Sequence, residues 1–235
     1  MCYNLYIIQH TEARRNFYLN NNFEYILFDL DGTITDSGEG ITKSVQYALK
    51  FFDISVDNLE DLRKFIGPPL KESFKEYYKF DEEKANLALV KYREYYADKG
   101  IYENNLYDGI IELLDALKKN DKTIILATSK PEVYAKEILK YFKIDKYFTF
   151  VAGSDFEETR VKKGDVIKYA LEGAKISDLS KVIMIGDREH DIIGAKGNGI
   201  KSIGVLYGFG DVIELTQARA EYIASNIKEL LNILL

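Results

Sequence analysis

Tyr25-Ile26-Leu27-Phe28-Asp29-Leu30-Asp31-Gly32-Thr33-Ile34-Thr35-Asp36-Ser37 is the stretch that decides the fold. Its first four residues are a short apolar run of the kind that forms a buried strand. The run stops in two aspartates separated by one leucine, and a glycine follows. Alternate residues of a strand project to the same side, so Asp29 and Asp31 leave the strand on one side of the backbone. Gly32 lets the chain turn sharply beyond them. Two carboxylates at the end of a buried strand are costly unless something uses their charge. In open α/β sheets, ligands sit at the carboxyl ends of the strands.

Downstream, apolar strand patterns alternate with helical ones. Helices are predicted over Ile110–Lys119, Pro131–Phe142, Val166–Leu171, Asp191–Asn198, Glu214–Arg219 and Ile227–Leu234. Strands are predicted over Thr123–Thr128, Phe148–Ala152, Val182–Ile185, Ser202–Leu206 and Tyr222–Ala224. Such alternation predicts an α/β fold whose parallel sheet is covered by helices on both faces.

Residues 38–105 break the pattern, with helical spacing and no strand signal. Ile41, Val45, Ala48, Leu49 and Phe52 form one stripe, and Leu59, Leu62, Phe65 and Ile66 a second. After Pro68 and Pro69, a third helix starts at Leu70 and a fourth, from Ala85, ends near Gly100. The expected organisation is a core of residues 23–37 and 106–235, an inserted four-helix segment at 38–105, and an N-terminal extension at 1–22. A short strand is expected within that extension, over Tyr3–Ile8.

The chain has 235 residues, of which 46% are hydrophobic, enough for a sizeable core. Its net charge is −6, from 32 basic and 38 acidic residues. With no basic block, nucleic acid as a structural partner is excluded. The one cysteine, Cys2, allows no internal disulfide, which fits a reducing compartment. No run approaches the ~20 apolar residues that a membrane helix needs. Asn4, Gln9 and His10 interrupt the early apolar stretch, so no signal peptide is read there. A cytoplasmic protein is the expectation.

Three further segments carry chemistry at strand ends. Thr128-Ser129-Lys130-Pro131 offers hydroxyls and free backbone N–H groups at a helix start, which suits a phosphate. The same residues also read as an ordinary N-cap by Ser129. Lys162 and Lys163 precede a helix, and either could face the site. Gly186-Asp187-Arg188-Glu189-His190-Asp191 follows an apolar strand, and one helical turn brings Asp191 back to the side of Asp187. His190 reads as a surface residue.

Taken in order, these segments resemble the four motifs of the haloacid dehalogenase superfamily. The phosphoglycolate-phosphatase-like group, with a helical C1 cap, is the nearest pattern. The resemblance implies a Rossmann-like core and a phosphatase acting through an aspartyl-phosphate. Asp29 would be the nucleophile and Asp31 the general acid and base, with Lys163 as the site lysine. Thr128, Ser129, Gly32 and Thr33 would contact substrate, and Thr33 would also steady Asp31 or its turn. Asp29, Asp187, Asp191 and the Asp31 carbonyl offer only oxygens, the donor set suited to Mg²⁺. The Phe65–Leu70 segment resembles a cap loop over the substrate and reads equally as a connector.

The expected partner is a small phosphorylated metabolite, and a monomer and a homodimer both fit. Two other readings stay open. One is a phosphomutase of the β-phosphoglucomutase type, and the other a non-catalytic regulatory protein on the same scaffold.

Overall fold

The computed structural model describes residues 22–156 and 159–235. The strand expected over Tyr3–Ile8 lies outside them. Six strands form one parallel sheet: β1 (Tyr25–Phe28), β4 (Thr123–Pro131), β5 (Phe148–Ser154), β6 (Val182–Gly186), β7 (Lys201–Val205) and β8 (Tyr222–Ala224). Their order is β5-β4-β1-β6-β7-β8, which puts β1 at the centre. Phe28 pairs with Leu126 on one side and Ile185 on the other. The aspartate that follows Phe28 therefore emerges between two neighbouring strands.

Both faces of the sheet are buried, as a parallel sheet requires. Ile26, Phe28, Leu126 and Ile185 join the larger core with Leu113 and Leu117 of α4 (Ile110–Lys119) and Leu230 of α9 (Ile227–Leu234). Leu27, Ile125 and Met184, one residue out of phase, face the other way. They meet Val166, Ile167 and Ala170 of α6 (Lys163–Gly173). The period of two thus divides each apolar run between two cores. The remaining core helices are α5 (Glu132–Tyr141), α7 (Glu189–Gly197) and α8 (Val212–Gln217).

The segment between β1 and β4 is helical. It holds α1 (Gly38–Lys50), a 3₁₀ turn (Leu59–Phe65), α2 (Leu70–Tyr78), α3 (Glu82–Tyr95) and a π turn (Tyr96–Gly100). The second of the four expected helices is therefore 3₁₀. It is a seven-residue piece between Asn58, whose side chain accepts from Glu60 N, and an extended Ile66, longer than most 3₁₀ runs. One feature was not anticipated. β2 (Thr35–Asp36) and β3 (Asn105–Leu106) pair antiparallel where the chain enters and leaves the helical segment. Two-residue strands carry no detectable periodicity.

Several boundaries moved. β4 runs past Thr128 to Pro131, with a register irregularity after Ala127. β5 extends to Ser154, and α6 begins at Lys163 rather than Val166. Among the described residues, no helix is long and apolar enough to cross a membrane.

α1 crosses the π turn closely at Gly40, where a Cβ would lie 2.0 Å from the Gly100 carbonyl oxygen. A Cβ on Gly197, at the end of α7, would touch nothing within 4 Å. Gly40→Ala is expected to cost about 1–3 kcal/mol. Gly197→Ala is expected to be neutral or to stabilise by up to about 1 kcal/mol. Urea unfolding of the two variants checks the contrast.

Candidate active site

Asp29 follows β1 directly, and its backbone N–H donates to Ile185 O at 2.9 Å. The next turn is tight: the amides of Thr33, Ile34 and Thr35 all donate to the Leu30 carbonyl, at 3.3, 2.9 and 3.0 Å. Gly32 sits in this turn at φ +82°, and a Cβ there would lie 2.1 Å from Asp187 Oδ2. Glycine is required by both conformation and space.

Asp187 extends from the carboxyl end of β6 and is fully buried. Its Oδ2 accepts from Phe209 N at 2.8 Å, and its Oδ1 accepts from Thr33 Oγ1 at 3.4 Å. Thr33 therefore steadies Asp187 rather than Asp31. Asp191 lies in the first turn of α7, where its Oδ2 accepts from Arg188 N at 3.1 Å. Asp29, Asp187 and Asp191 are all buried, and each contributes one oxygen to a group lying within 4.8 Å.

Lys163, the first residue of α6, reaches this group. Its Nζ lies 2.8 Å from Asp29 Oδ1 and 2.8 Å from Asp191 Oδ1, and it donates to Ala127 O at 3.1 Å. Lys162 precedes the helix and is exposed. Thr128 is buried and its Oγ1 accepts from Lys130 N at 3.2 Å. Ser129 is not the N-cap of α5, because the strand runs on and Pro131 occupies that position without a side-chain cap.

A cavity of about 150 Å³ lies over these groups. Asp29, Asp31, Thr128 and Ser129 line it from the sheet, and Phe65 and Pro68 from the helical segment. The Phe65–Leu70 stretch thus forms cavity wall and is more than a connector. Gly32 and Thr33 are not part of that wall; they pack behind it, against Asp187.

Crowding and burial in a dry site disfavour the ionised form of a carboxyl group. Burial, then Asp191 and Asp29, push the Asp187 carboxyl well above the usual range. Burial first, with Asp29 adding and Lys163 opposing, pushes Asp191 up to about 6. Burial also works against the charge on Lys163, but Asp191 and Asp29 outweigh it and the ammonium is held more tightly. One lysine does not balance three carboxylates. Asp29 Oδ1 and Asp191 Oδ1 lie beside the ammonium, yet neither they nor Asp31 Oδ1 accept a directed hydrogen bond. Buried carboxylate oxygens sharing a single ammonium, with no sulfur or imidazole among them, fit a hard divalent cation.

Sequence reasoning missed two participants. Lys130 Nζ lies 3.1 Å from Asp31 Oδ2. The signal was alternation: Lys130 is two residues beyond Thr128 on a strand that continues. Arg188 donates from Nε to Glu214 Oε1 at 2.8 Å and from a terminal guanidinium nitrogen to the Ile66 carbonyl, joining the acidic loop to the cavity wall. No local pattern marks it. His190 is half-buried rather than exposed, and burial lowers its pKa.

Fold and site together define a hydrolase of the phosphatase type, with a Rossmann-like core and an acidic centre at the carboxyl edge of its sheet. The chain belongs to the haloacid dehalogenase-like hydrolase family, whose model matches residues 26–205. It is 44% identical to a 5'-nucleotidase of Pseudomonas aeruginosa over 89% of this chain and 94% of that one. It is 36% identical to the tyrosine-protein kinase PtkA of Mycobacterium tuberculosis, over 88% of this chain and 71% of that one. The crystal structure of a predicted phosphatase from Clostridium acetobutylicum superposes with a TM-score of 0.87 at 53% identity, covering 89% of this chain and 96% of that one.

The raised carboxyl groups give a signed pH dependence. Asp187 and Asp191 hold protons more tightly folded than unfolded. In a metal-free solution their contribution to stability is therefore greatest at acid pH and falls as pH rises above the ordinary aspartate value of 3.8, in the case of Asp191 through about 6. A divalent cation competes with those protons. Thermal melts should show magnesium chloride raising Tm more at about pH 7.5 than at about pH 5. An equal rise at both would contradict the assignment.

Proposed function

We propose that this phosphatase hydrolyses a small phosphate monoester, phosphoglycolate-like or nucleotide-like, through a covalent phosphate on Asp29. The observation that carries the reading is the convergence of Asp29, Asp187 and Asp191 within 4.8 Å, with Lys163 2.8 Å from two of them. These residues come from three separate stretches of the chain. The similarity to a protein named 5'-nucleotidase supports a phosphorylated metabolite as substrate.

Mg²⁺ held by Asp29, Asp187, Asp191 and the Asp31 carbonyl would offset the crowded carboxylates and draw charge from the phosphate oxygens. Lys163 stays close enough to share the phosphate charge while keeping Asp29 in place. Thr128 and Ser129 are placed to receive the remaining phosphate oxygens. Asp29 attacks phosphorus as the bond to the leaving oxygen breaks, and Asp31 gives that oxygen a proton. In the second half-reaction water attacks the phosphorus of the aspartyl-phosphate. Asp31 takes the water's proton, releasing inorganic phosphate and restoring the Asp29 carboxylate.

In this reading, residues 23–37 and 106–235 are the catalytic core and 38–105 the cap, joined through β2 and β3, with 1–22 ahead of them. The cap wall excludes water from the reacting phosphate. The protein is proposed to act as a monomer or homodimer.

Asp29→Asn should fold normally and lose at least about a thousandfold in kcat. A turnover near that of the parent chain would remove the covalent step. A panel of phosphorylated metabolites, run with Mg²⁺ and with chelator, should release inorganic phosphate only with the metal. Phosphate delivered to a second sugar, with a requirement for a bisphosphate primer, would identify a mutase instead. Transfer to tyrosine would identify the activity in the name of the mycobacterial relative.

A further inference from the structure

The role of Asp31 as acid and base leaves unexplained what holds its side chain. Asp31 lines the cavity but lies outside the three-carboxylate cluster. Its Oδ2 is 3.1 Å from Lys130 Nζ, and its Oδ1, buried, accepts no hydrogen bond. The ammonium of Lys130 is itself nearly sealed, with its side chain 5% exposed. Its other partner belongs to the helical segment. Lys130 Nζ donates to Tyr96 Oη at 2.5 Å and sits 4.5 Å from the centre of the Tyr96 ring. Tyr96 is fully buried, stacked at 5.4 Å and 11° on Tyr92 and set edge-on to Tyr134.

From this geometry we propose that Lys130 is the positioning residue for the proton transfer. It clamps Asp31 by one carboxyl oxygen, and Tyr96 sets where the clamp stands. The inference rests on Asp31 being the acid and base. A donor on Oδ2 leaves Oδ1 as the oxygen that carries or receives the proton. The same N–H···Oδ2 bond serves whether Oδ1 is protonated or not, so the clamp holds through both half-reactions. It also explains a backbone feature. β4 has an irregular register between Ala127 and Pro131, and that stretch places Thr128 and Lys130 together on the cavity. A buried ammonium left without either partner would be expensive. The contact to Tyr96 therefore makes the clamp depend on the helical segment lying over the core.

The test exploits leaving groups that differ in their need for a proton. A primary alkyl phosphate must have its leaving oxygen protonated, whereas 2,4-dinitrophenyl phosphate expels a stable phenolate unaided. kcat/KM covers only the steps up to departure of the leaving group. Lys130→Met should lower kcat/KM for the alkyl ester by about 100-fold or more, and for the dinitrophenyl ester by about threefold or less. Its kcat on the dinitrophenyl ester should fall, because release from Asp29 still needs the base. Lys130→Arg should recover part of the alkyl activity. Tyr96→Phe, which keeps the ring packing, should show the same leaving-group dependence at smaller size.

Equal losses on both esters would make Lys130 a phosphate-binding cation and overturn the proposal. So would full activity in Lys130→Met. Asp31→Asn provides the separate control. If it shows no leaving-group dependence, the assignment of Asp31 as acid fails. If it shows one that the Lys130 variants lack, only the clamp fails.

Discussion

Burying like charges beside one another is the constraint around which this structure is arranged. Three carboxylates share a site that water barely reaches, and the one ammonium among them is too few to neutralise them all. A backbone amide holds Asp187, another holds Asp191, and a single ammonium spans Asp29 and Asp191. These contacts fix positions while leaving a surplus of negative charge. A cation placed among such carboxylates would relieve their mutual repulsion. The rigidity is supplied from below by a strand buried on both faces and paired on both edges.

The glycines belong to the same constraint. Gly32, Gly186, Gly208 and Gly210 each leave space into which a Cβ would drive against Asp187 or Asp191. Carboxylates this close to backbone meet amide donors directly and need no long side chains to hold them. The aromatic residues act elsewhere. Phe65, Tyr92 and Tyr96 of the helical segment, with Tyr134 of α5, line the cavity. One side of the cavity is thus short, polar and fixed, and the other is bulky and apolar.

Much of this was legible along the chain, for physical reasons that differ by element. The strands and helices of the core were readable because both faces of the sheet are buried, so the central strands are near-continuous apolar runs. Asp29 and Asp31, Asp187 and Asp191 stood out because acid after an apolar run is costly. Lys163 was separable from Lys162 only by the start of α6, a boundary that periodicity places three residues late. Thr33 was expected to steady Asp31 or its turn; its amide does close the turn, whereas its hydroxyl reaches Asp187, 154 residues away. Lys130 and Arg188 look like ordinary solvated cations until their partners, Tyr96 and Ile66, are brought near by the tertiary fold. Such roles reside in long-range contacts and leave no local trace.

The small ladder formed by Thr35–Asp36 and Asn105–Leu106 carries both covalent connections to the helical segment. It begins one bridge away from Asp31, which pairs with Thr35. For any swing of that segment, the pivot and the reactive turn share a few residues of backbone. Points near an axle hardly travel, while those far out sweep an arc. Asp31 would keep its place while the distant aromatic wall lifted, and the tether between Tyr96 and Lys130 would be the first contact to feel the door move.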